Sequence, residues 1–523
     1  MFDLGRSFLA SVERDPCAEA IVDGATRLTY GEWYSAISGA VAGLDALGLA
    51  QGDHLVTVLQ NRFESATLHW ACQFTGVIAT PVNWRVKSEE LGFVLQDAQA
   101  RAIAYEPVAA EAVAGCPTAR GLRRIAIGAE PSGGETSFAE LVRASATPAT
   151  PRADAEALSL MLYTSGTTGR PKGVPRRHRA ERAAAIAHVA QNLYARGERT
   201  LGVMPLYHTM GVRSLLAMSL IGGAFVCLPR FDAARALALI EAERIDNLYL
   251  VPTLYHDLLA HHDFPRRNLA SVRKLGFAGA PMTAGLLKAL TEAFRPELFV
   301  NHYGSSEIYT FTVEQHAMRK PGSAGRPGIN ARLRVVRLGA ASPEEEAARG
   351  EEGEIAIDAS GDEAFEGYWH RADADERAFR GGWYFTGDTG YLDADGDLFV
   401  TGRVDDMIIT GGENVSPVEV ESCVSLHPAV SEVAAVGLHD ERWGKLVAAF
   451  VKRRASVSPE ALDAHCRASG LADFKRPRRY VFVAEIPRSP VGKLLRRKLV
   501  AGEYEAESSA GVEFDATSQG IAS

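Results

Sequence analysis

Alternating apolar segments constrain the fold of this 523-residue chain more than any other feature of its sequence. In the first part of the chain, short β-branched runs alternate with stretches of helical spacing, in the order 54–59, 64–76, 76–82, 88–97 and 102–105. Two parallel strands must be joined by a long crossover, which is usually a helix, whereas a short turn can join two antiparallel strands. Strands that alternate with helices therefore favour parallel pairing. The pattern therefore predicts an α/β fold with parallel sheets covered by helices.

A second alternating block follows the first. Its predicted helices lie at 180–195, 212–221 and 232–243, and its predicted strands lie at 200–204, 224–228 and 247–251. Between residues 322 and 402 the pattern changes to short strands separated by Gly-rich and acidic turns, which favours a smaller antiparallel, barrel-like region. We expect one large N-terminal domain at 1–402 that contains two doubly wound sheets and a small β-barrel-like region.

Two helix starts are marked by capping residues. Thr29, with Glu32 three residues later, has the pattern of a capping box, and Ser416 followed by Pro417 is an N-cap with proline at the first helical position. We expect the helix that begins after Thr29 to end before Gly48, because glycine commonly follows the last residue of a helix. The second helix is expected to run to about residue 426.

Beyond residue 402 the chain restarts as a smaller α+β unit. Its predicted strands lie at 433–437, 446–451 and 480–483, and a predicted helix begins at Pro459. We place the domain boundary at 403–405, which gives a C-terminal domain at 403–502 that is expected to be mobile. Residues 503–523 are acidic and poor in large apolar side chains, so they predict a flexible tail.

The charge of the chain argues against nucleic acid as a partner. The formal net charge is −9, from 56 Lys and Arg against 65 Asp and Glu, and five of the acids lie in residues 503–523 without a compensating base. Nucleic-acid binders instead concentrate positive charge on one face. The basic runs at 475–479 and 496–498 lack interleaved aromatic residues and are typical of solvated faces.

Cysteine usage and hydropathy favour a cytoplasmic protein. The six cysteines are far apart, with no Cys-x-x-Cys pair, so neither a disulfide framework nor a structural zinc site is expected. The charged first fifteen residues do not resemble a signal peptide, and no apolar run approaches the ~20 residues that span a bilayer. We expect a reducing, cytoplasmic compartment and no membrane span.

The run Tyr163-Thr-Ser-Gly-Thr-Thr-Gly-Arg-Pro-Lys-Gly173 is the strongest local indication of chemistry. Glycines let backbone N–H groups turn inward as an anion nest, hydroxyl side chains add donors, and Lys172 adds positive charge. The glycines at 166, 169 and 173 do not fit a Walker A loop, in which the lysine follows the last glycine. We interpret the run as a polyphosphate-binding loop, with a flexible linker as the alternative.

This loop resembles the phosphate-binding signature of the adenylate-forming superfamily, which includes acyl- and aryl-CoA ligases, luciferases and the adenylation domains of peptide synthetases. Four further stretches match the family's motifs in its order: Tyr303-Gly-Ser-Ser-Glu307, Tyr384-Phe-Thr-Gly-Asp388, Thr401-Gly-Arg-Val-Asp-Asp406 and Pro487-Arg-Ser-Pro-Val-Gly-Lys493. The runs most similar to bacterial aryl-CoA ligases of the 4-chlorobenzoate–CoA ligase type are 204–208, 411–414, 441–444 and 472–477. The resemblance implies an ATP-dependent acid–CoA ligase.

The resemblance also implies catalytic and nucleotide-binding roles. Lys493 would bridge the substrate carboxylate and the α-phosphate of ATP, Glu307 would bind Mg²⁺, and Asp388 would accept the ribose hydroxyls. The other implied nucleotide-binding residues are Thr164, Ser165, Gly166, Thr167, Thr168, Gly169, Lys172, Gly279, Ala280, Asn301, Tyr303, Gly304, Ser305 and Arg403. ATP, Mg²⁺ and coenzyme A (CoA) are the cofactors and co-substrates that follow from the resemblance.

An acid pocket and a CoA tunnel complete the implied site. The pocket residues are His208, Met210, Gly211, Tyr255, Ala280, Tyr303, Ile308 and Tyr309. The CoA-contacting residues are Arg85, Gly411, Gly412, Trp443, Phe474 and Arg476. His208 is implied as a moving gate rather than a general base. The mostly apolar pocket favours a small aryl or heteroaryl monocarboxylic acid, and we expect Arg213, the one nearby cation, to point to solvent.

The implied reaction has two steps, adenylation of the acid and then thioester formation with CoA. The resemblance implies that the C-terminal domain rotates about Asp405 between them, removing Lys493 and bringing in Gly411 and Gly412. Two alternatives remain: an enzyme that loads the acyl group onto a carrier protein, and a catalytically dead nucleotide-binding protein. The identity of the acid and the oligomeric state, a homodimer included, stay open.

Overall fold

The computed structural model describes residues 2–129, 131, 133–143, 147–164, 171–411, 413–488, 494–507 and 514–515. Its first elements are α1 (Leu4–Arg14), β1 (Glu19–Asp23), β2 (Thr26–Thr29), α2 (Tyr30–Ala46), β3 (His54–Val58), α3 (Phe63–Thr75), β4 (Ile78–Pro81), α4 (Ser88–Asp97), β5 (Ala102–Tyr105), α5 (Ala110–Ala114), β6 (Arg123–Ala126), β7 (Thr136–Ser137), α6 (Phe138–Val142), β8 (Leu158–Thr164) and β9 (Lys172–Arg177).

The chain continues through the rest of the large domain. These elements are α7 (His178–Gln191), β10 (Arg199–Gly202), α8 (Thr209–Leu220), β11 (Ala224–Cys227), α9 (Ala233–Ala242), β12 (Asn247–Leu250), α10 (Pro252–Ala260), β13 (Lys274–Phe277), α11 (Ala284–Phe294), β14 (Leu298–Tyr303), β15 (Thr312–Glu314), β16 (Ser323–Pro327), β17 (Leu333–Arg337), β18 (Gly353–Asp358), α12 (Ala372–Ala378), β19 (Phe379–Arg380), β20 (Trp383–Leu392) and β21 (Leu398–Arg403).

The last elements form the C-terminal unit: β22 (Ile408–Thr410), β23 (Glu413–Val415), α13 (Pro417–Ser425), β24 (Val430–Asp440), β25 (Gly444–Arg453), α14 (Pro459–Ala468), β26 (Arg479–Phe482), α15 (Arg496–Val500) and β27 (Phe514–Asp515). Strands β24 to β27 make a four-stranded sheet, and β22 pairs with β23 as a hairpin. This unit buries its own apolar side chains, including Tyr480 and Phe450. The predicted small α+β domain is confirmed.

Two large sheets make up the body, as the α/β prediction requires. One has the order β7-β6-β5-β3-β4-β8-β9 and is parallel except for the β8–β9 hairpin. In the other, strands β14, β13, β12, β10, β11 and β1 are parallel neighbours. The predicted antiparallel region is also present, and its strands β15, β16, β21, β20, β18 and β17 extend the second sheet instead of standing apart from it.

The helix starts follow their capping residues. Helix α2 has both bonds of the predicted capping box between Thr29 and Glu32, and Ser416 caps α13. Helix α8 begins three residues earlier than predicted, because Nδ1 of His208 accepts a hydrogen bond from the Met210 N–H at 3.3 Å and serves as the cap. No helix in the described part of the chain is long and apolar enough to cross a bilayer.

The start of the predicted tail differs from the structure. Tyr504 packs its ring edge-to-face on Phe450 at 4.9 Å, and the Glu507 carboxylate pairs with Arg453 at 2.8 Å. Backbone hydrogen bonds join Ala484 to Glu505 and Glu507 to Phe482, so the segment is attached to the C-terminal sheet by contacts that its average composition did not indicate. Phe514 and Asp515 also pair with β26 as strand β27. The described residues of the predicted tail therefore lie against this sheet from Tyr504 onward, and its other residues lie outside the described part of the chain.

Candidate active site

The carboxyl ends of two neighbouring parallel strands bring the first site residues together. Strands β13 and β14 run side by side with Phe277 opposite Asn301, so the segments that follow them share one edge of the sheet. Gly279 has a φ of +82°, which favours glycine. A side chain at Gly304 would collide with the Tyr309 carbonyl, since its Cβ would lie 2.1 Å from that oxygen. Such an edge is the usual ligand-binding position in α/β folds.

Asp388 lies in a polar cluster beside this edge. Its two carboxylate oxygens accept hydrogen bonds from the Tyr303 hydroxyl at 2.6 Å and from Nη1 of Arg403 at 2.8 Å. Arg403 is its direct cross-strand partner, because β20 and β21 pair in antiparallel register at this point. Three residues predicted from separate motifs thus meet in one place, with an ionic acceptor suited to a pair of vicinal hydroxyls.

The charges in this cluster stabilise one another. Burial lowers the pKa of Arg403, but the attraction of Asp388, together with smaller contributions from Tyr303, Asp406 and Tyr384, raises the pKa overall. Burial raises the pKa of Tyr303, and the adjacent Asp388 carboxylate raises it further. Both side chains therefore keep their protons at neutral pH and remain hydrogen-bond donors.

Lys172, Glu307 and Tyr368 form a second polar cluster. The Lys172 ammonium lies over the Tyr368 ring, 3.9 Å from its centre, and the Tyr368 hydroxyl donates to Glu307 Oε1 at 2.7 Å. Burial lowers the pKa of Lys172, and the Glu307 charge opposes that shift. Tyr384, which shares strand β20 with Asp388, adjoins this second cluster, because its hydroxyl lies 3.3 Å from that of Tyr368.

The predicted phosphate loop joins the paired strands β8 and β9. Thr164 ends β8 and pairs in antiparallel register with Lys172, the first residue of β9, while residues 165–170 lie outside the described part of the chain. The hairpin presents Lys172 next to Glu307. A magnesium–phosphate group fits this donor set, which offers one buried carboxylate for the metal and an ammonium for phosphate oxygens.

Arg176 was not indicated by the sequence and braces this part of the site. It is fully buried, its Nε pairs with Glu181 at 2.7 Å, and its Nη1 donates to the carbonyls of Glu307 and Glu363. Its side chain also packs on the Tyr309 ring. Strand β9 is thereby tied to the segment that carries Glu307. Its sequence neighbourhood is simply basic, so no local pattern marked it.

The predicted acid-pocket residues fall into two groups. Met210 and Gly211 lie in the first turn of α8 after His208, and Met210 Sδ is 3.9 Å from where a Gly279 Cβ would stand. Ile308 and Tyr309 are buried next to Glu307. These side chains surround the sheet edge described above, together with Ala280 and Tyr303.

Tyr255 differs from the expectation of a pocket residue. It is fully buried, and its hydroxyl donates to the carbonyls of Leu248 and Gly276, both at 2.9 Å. Helix α10 packs it against the sheet, so that its polar atom is satisfied by the backbone.

Arg213 does not point to solvent, and that prediction is wrong. The residue is only 2% exposed. Its guanidinium donates to the Tyr309 carbonyl at 3.2 Å, to Thr310 Oγ1 at 2.8 Å and to the Tyr249 hydroxyl. Hydrogen-bond acceptors on β12 and on the segment after β14 offset the cost of burying this charge, so the side chain can turn inward. The sequence of α8 alone does not show these acceptors.

The predicted CoA residues are distributed over both domains. Arg85 is exposed and stacks on Trp84. Burial raises the pKa of Tyr207 to about 12, and the nearby charge of Arg85 opposes this rise. Gly411, with a φ of +58°, contacts Trp443, since a Cβ there would lie 2.7 Å from the indole. Trp443 and Phe474 are partly exposed aromatic residues on the C-terminal domain.

Arg476 differs from the others in this set. It is buried and forms an ion pair with Asp463 inside the C-terminal domain. Because its charge is already compensated there, the side chain does not face a ligand in this structure.

Several predicted residues lie outside the described part of the chain. They are Ser165, Gly166, Thr167, Thr168, Gly169, Gly412 and Lys493. The backbone around the predicted hinge is described as a single turn of 3₁₀ helix, Val404–Asp406.

Comparison with known proteins gives the same assignment over most of the chain. The profile of the AMP-binding enzyme family matches residues 8–369, and that of the AMP-binding enzyme C-terminal domain matches residues 419–493. A 4-chlorobenzoate–CoA ligase from Arthrobacter sp. is 35% identical over 495 residues, which are 94% of this chain and 93% of the relative. The long-chain-fatty-acid–CoA ligase FadD13 from Mycobacterium tuberculosis is 32% identical over 504 residues, 92% and 95% of the two chains.

A solved structure supports the fold at the same level. The anthranilate CoA ligase AuaEII in complex with anthranoyl-AMP superposes with a TM-score of 0.88 at 27% identity, over 96% of this chain and 97% of that one. Both sheets, the C-terminal unit and the Asp388 and Glu307 clusters thus occur in a chain matched along nearly its whole length by adenylate-forming enzymes. This protein belongs to the AMP-binding enzyme family.

Proposed function

We propose that the protein, as an ATP-dependent acid–CoA ligase, acts on a small aryl or heteroaryl monocarboxylic acid. The observation that carries the proposal is the convergence of two clusters at one sheet edge: Asp388 with Tyr303 and Arg403, and Glu307 with Lys172. The first suits a ribose and the second suits a polyphosphate. ATP and CoA are the co-substrates, and we place the reaction in the cytoplasm, where both are available.

The first step is attack of the acid carboxylate on the α-phosphate of ATP. Two anions must approach each other, so the site has to supply cations and donors around the phosphate. Lys172 serves the phosphate oxygens, and Lys493 is proposed to bridge carboxylate and α-phosphate. Mg²⁺ held by Glu307 would neutralise phosphate charge.

The second step is attack of the CoA thiol on the acyl carbonyl, with AMP as the leaving group. A reactive acyl-adenylate must be shielded from water until then. We propose that the C-terminal domain turns about Asp405 after adenylation, withdraws Lys493 and brings Gly411 and Gly412 to the site. We propose that three side chains contact CoA. Trp443 lies next to Gly411, Phe474 is exposed on the same C-terminal domain, and Arg85 lies on the body.

The test is a pyrophosphate-release screen over aryl, heteroaryl and short aliphatic acids, with and without CoA. The expected result is acid-dependent pyrophosphate release with the aryl panel and an acyl-CoA product only when CoA is added. Turnover with an acyl-carrier protein but not with CoA would instead identify a carrier-loading enzyme. Nucleotide binding without pyrophosphate release for any acid would identify a catalytically dead protein.

A further inference from the structure

A buried polar layer lies behind the proposed acid pocket, on the side of the sheet that faces α7 and α8. Tyr249, Gly276 and Val300 are neighbours in register on β12, β13 and β14, and His302 is two residues beyond Val300 on the same face. The His188 ring on α7 lies 4.6 Å from the Tyr249 ring and 5.1 Å from the His302 ring. Together with Asn192 and Arg213, these form what we call the His188–His302 cluster.

Hydrogen bonds of Asn192 assign the tautomers of both histidines. The Asn192 amide group donates to His188 Nδ1 at 2.9 Å and to the His188 carbonyl at 2.8 Å. His302 Nε2 lies 3.0 Å from Asn192 Nδ2 and 3.2 Å from Asn192 Oδ1. Because His188 uses both amide hydrogens, we assign the proton of His302 to Nε2, from which it is donated to Asn192 Oδ1. Burial lowers the pKa of both histidines far below the ordinary value, and Arg213 adds to the shift. Both rings are therefore neutral.

This assignment leaves two donors and one acceptor without a partner among the described residues. His188 carries its proton on Nε2, and His302 exposes a lone pair on Nδ1; neither atom has a hydrogen bond, and neither does Nε–H of Arg213. All three side chains are buried. Buried polar atoms are almost always hydrogen-bonded, so this set calls for a partner that both donates and accepts.

The cluster adjoins the reaction site through two short connections. His302 immediately precedes Tyr303, which contacts Asp388 from the same strand. Arg213 lies on α8 one turn after Met210 and donates to the Tyr309 carbonyl, the atom that closes on Gly304. Arg213 thus connects the cluster to two of the proposed acid-pocket residues, Met210 and Tyr309.

Arg213 is the cation of this cluster, and neutral groups already use three of its N–H donors: the Tyr309 carbonyl, Thr310 Oγ1 and the Tyr249 hydroxyl. A second carboxylate on the substrate would have to give up its hydration in this buried layer, a cost that a buried ion pair often fails to recover. A neutral hydroxyl meets the need, since it donates to His302 Nδ1 and accepts from His188 Nε2–H or Arg213 Nε–H.

We propose that the His188–His302 cluster selects a hydroxyl-substituted aromatic acid as the substrate. The inference rests on the proposed acid–CoA ligase function and narrows its substrate class. It replaces the expectation of a wholly apolar pocket with a pocket whose inner end is polar and neutral.

The wild-type enzyme tests this directly. Acyl-CoA formation is measured for 2-, 3- and 4-hydroxybenzoate and for the three methylbenzoates of matching position. At least one hydroxybenzoate is expected to exceed its methyl isomer in kcat/KM by about 100-fold, because a site built for a hydroxyl leaves its own polar atoms unpaired against a methyl group. Equal or better turnover of all three methylbenzoates overturns the inference while leaving the ligase function intact. Failure of every acid in the presence of ATP and CoA instead contradicts the proposed function.

A variant separates recognition from a structural role. His302→Phe removes the acceptor and is expected to lower kcat/KM for the preferred hydroxybenzoate at least about tenfold, with little change for its methyl isomer. An equal loss for both acids would assign His302 to structure only. The matched control is Lys274→Met, which removes a buried polar group from the same sheet face at the opposite strand end, where Lys274 contacts Glu198. It is expected to lower stability without changing the hydroxyl-to-methyl ratio.

Discussion

One hydroxyl group holds the carboxylate that we assign to Mg²⁺. Tyr368 donates to Glu307 at 2.7 Å, while its ring carries the Lys172 ammonium. A hydrogen bond to a charged group is worth about 1.5–3 kcal/mol, so this contact restricts where the carboxylate can point. We therefore expect Tyr368 to position this carboxylate for the metal and not to act as a catalytic residue.

Tyr368→Phe keeps the ring beneath Lys172 and removes only the hydroxyl. We expect the Mg²⁺ concentration needed for half-maximal pyrophosphate release to rise about tenfold, with kcat largely recovered at saturating Mg²⁺, because the loss corresponds to about one charged hydrogen bond. Titration of activity with Mg²⁺ measures this. Tyr34→Phe, which removes a hydroxyl bound to the Ala149 carbonyl, is the control and should leave the titration unchanged. A Tyr368→Phe enzyme that is equally impaired at every Mg²⁺ concentration would contradict the role.

The sequence could identify residues whose type and motif both point to chemistry. Asp388, Glu307 and Lys172 belong to such motifs, and the structure brings each next to another predicted or polar residue. It could not identify Arg176 or Tyr368, because their partners are 131 and 61 residues away in the chain. Arg213 was misjudged for the same reason: its burial depends on acceptors contributed by β12 and the segment after β14, and the helix sequence alone does not specify them.

At the scale of elements, the close packing of α8 positions the acid side of the site. A Cβ at Gly211 would lie 2.2 Å from the Pro205 carbonyl and 2.3 Å from that of Met204, so the helix can approach this segment only with glycine there. The same turn carries His208, whose Nδ1 caps the helix, and Met210. Any displacement of α8 therefore moves the proposed gate and the pocket wall together.

Gly211→Ala is expected to lower kcat/KM for the acid about tenfold or more and to destabilise the protein by about 1–3 kcal/mol, since overpacking forces backbone shifts. Thermal unfolding and acyl-CoA assays measure the two effects. Gly285→Ala, in the first turn of α11, is the matched control, because nothing lies within 4 Å of its Cβ position. It should leave activity unchanged. Wild-type activity and stability in Gly211→Ala would refute the packing argument.

Elements with strong local signals were predicted well, and elements set by tertiary contacts were not. The cap at Thr29 and the cap at Ser416 are confirmed because capping is decided within three residues. The early start of α8 was missed, since histidine is not a usual cap. Likewise, composition alone could not predict that β15 to β21 join the second sheet, because strand pairing depends on distant partners.

For the molecule as a whole, the proposed alternation between two domain positions makes the two half-reactions separable. Lys493→Ala should abolish adenylate formation and leave thioester formation from supplied acyl-adenylate largely intact, because the lysine is withdrawn before the second step. Pyrophosphate release and acyl-CoA formation measure the two steps separately. Lys498→Ala, which loses only an exposed pairing with Glu503, is the control and should retain both. Equal loss of both half-reactions in Lys493→Ala would contradict the assignment.

Buried neutral histidines make the body sensitive to acid. Burial lowers the pKa of His69 to about 3 and of His178 and His54 to about 4, so these rings stay neutral when folded but bind protons near pH 6.5 when unfolded. The unfolded state then binds more protons below that pH, and stability falls as pH decreases. Each histidine should cost about 1.4 kcal/mol per pH unit between pH 6.5 and the folded pKa.

Urea unfolding at pH 7.0, 6.0 and 5.0 measures this dependence, and His69→Leu should make it shallower. The substitution removes a buried ring whose Nε2 has no hydrogen-bond partner among the described residues. Arg266→Ala, on an exposed side chain, provides a comparison that should keep the wild-type slope. An unchanged slope in His69→Leu would mean that this histidine protonates in the folded state.

The attachment of residues 503–507 to the C-terminal sheet has a practical consequence for observing the enzyme at work. Since Tyr504 and Glu507 are held by Phe450 and Arg453, this segment travels with the C-terminal domain. A fluorophore at residue 503 and a second one on the exposed Val108 of the body would form a distance reporter for energy transfer. The signal would test the proposed turn of the domain within a single catalytic cycle, without a label near either substrate.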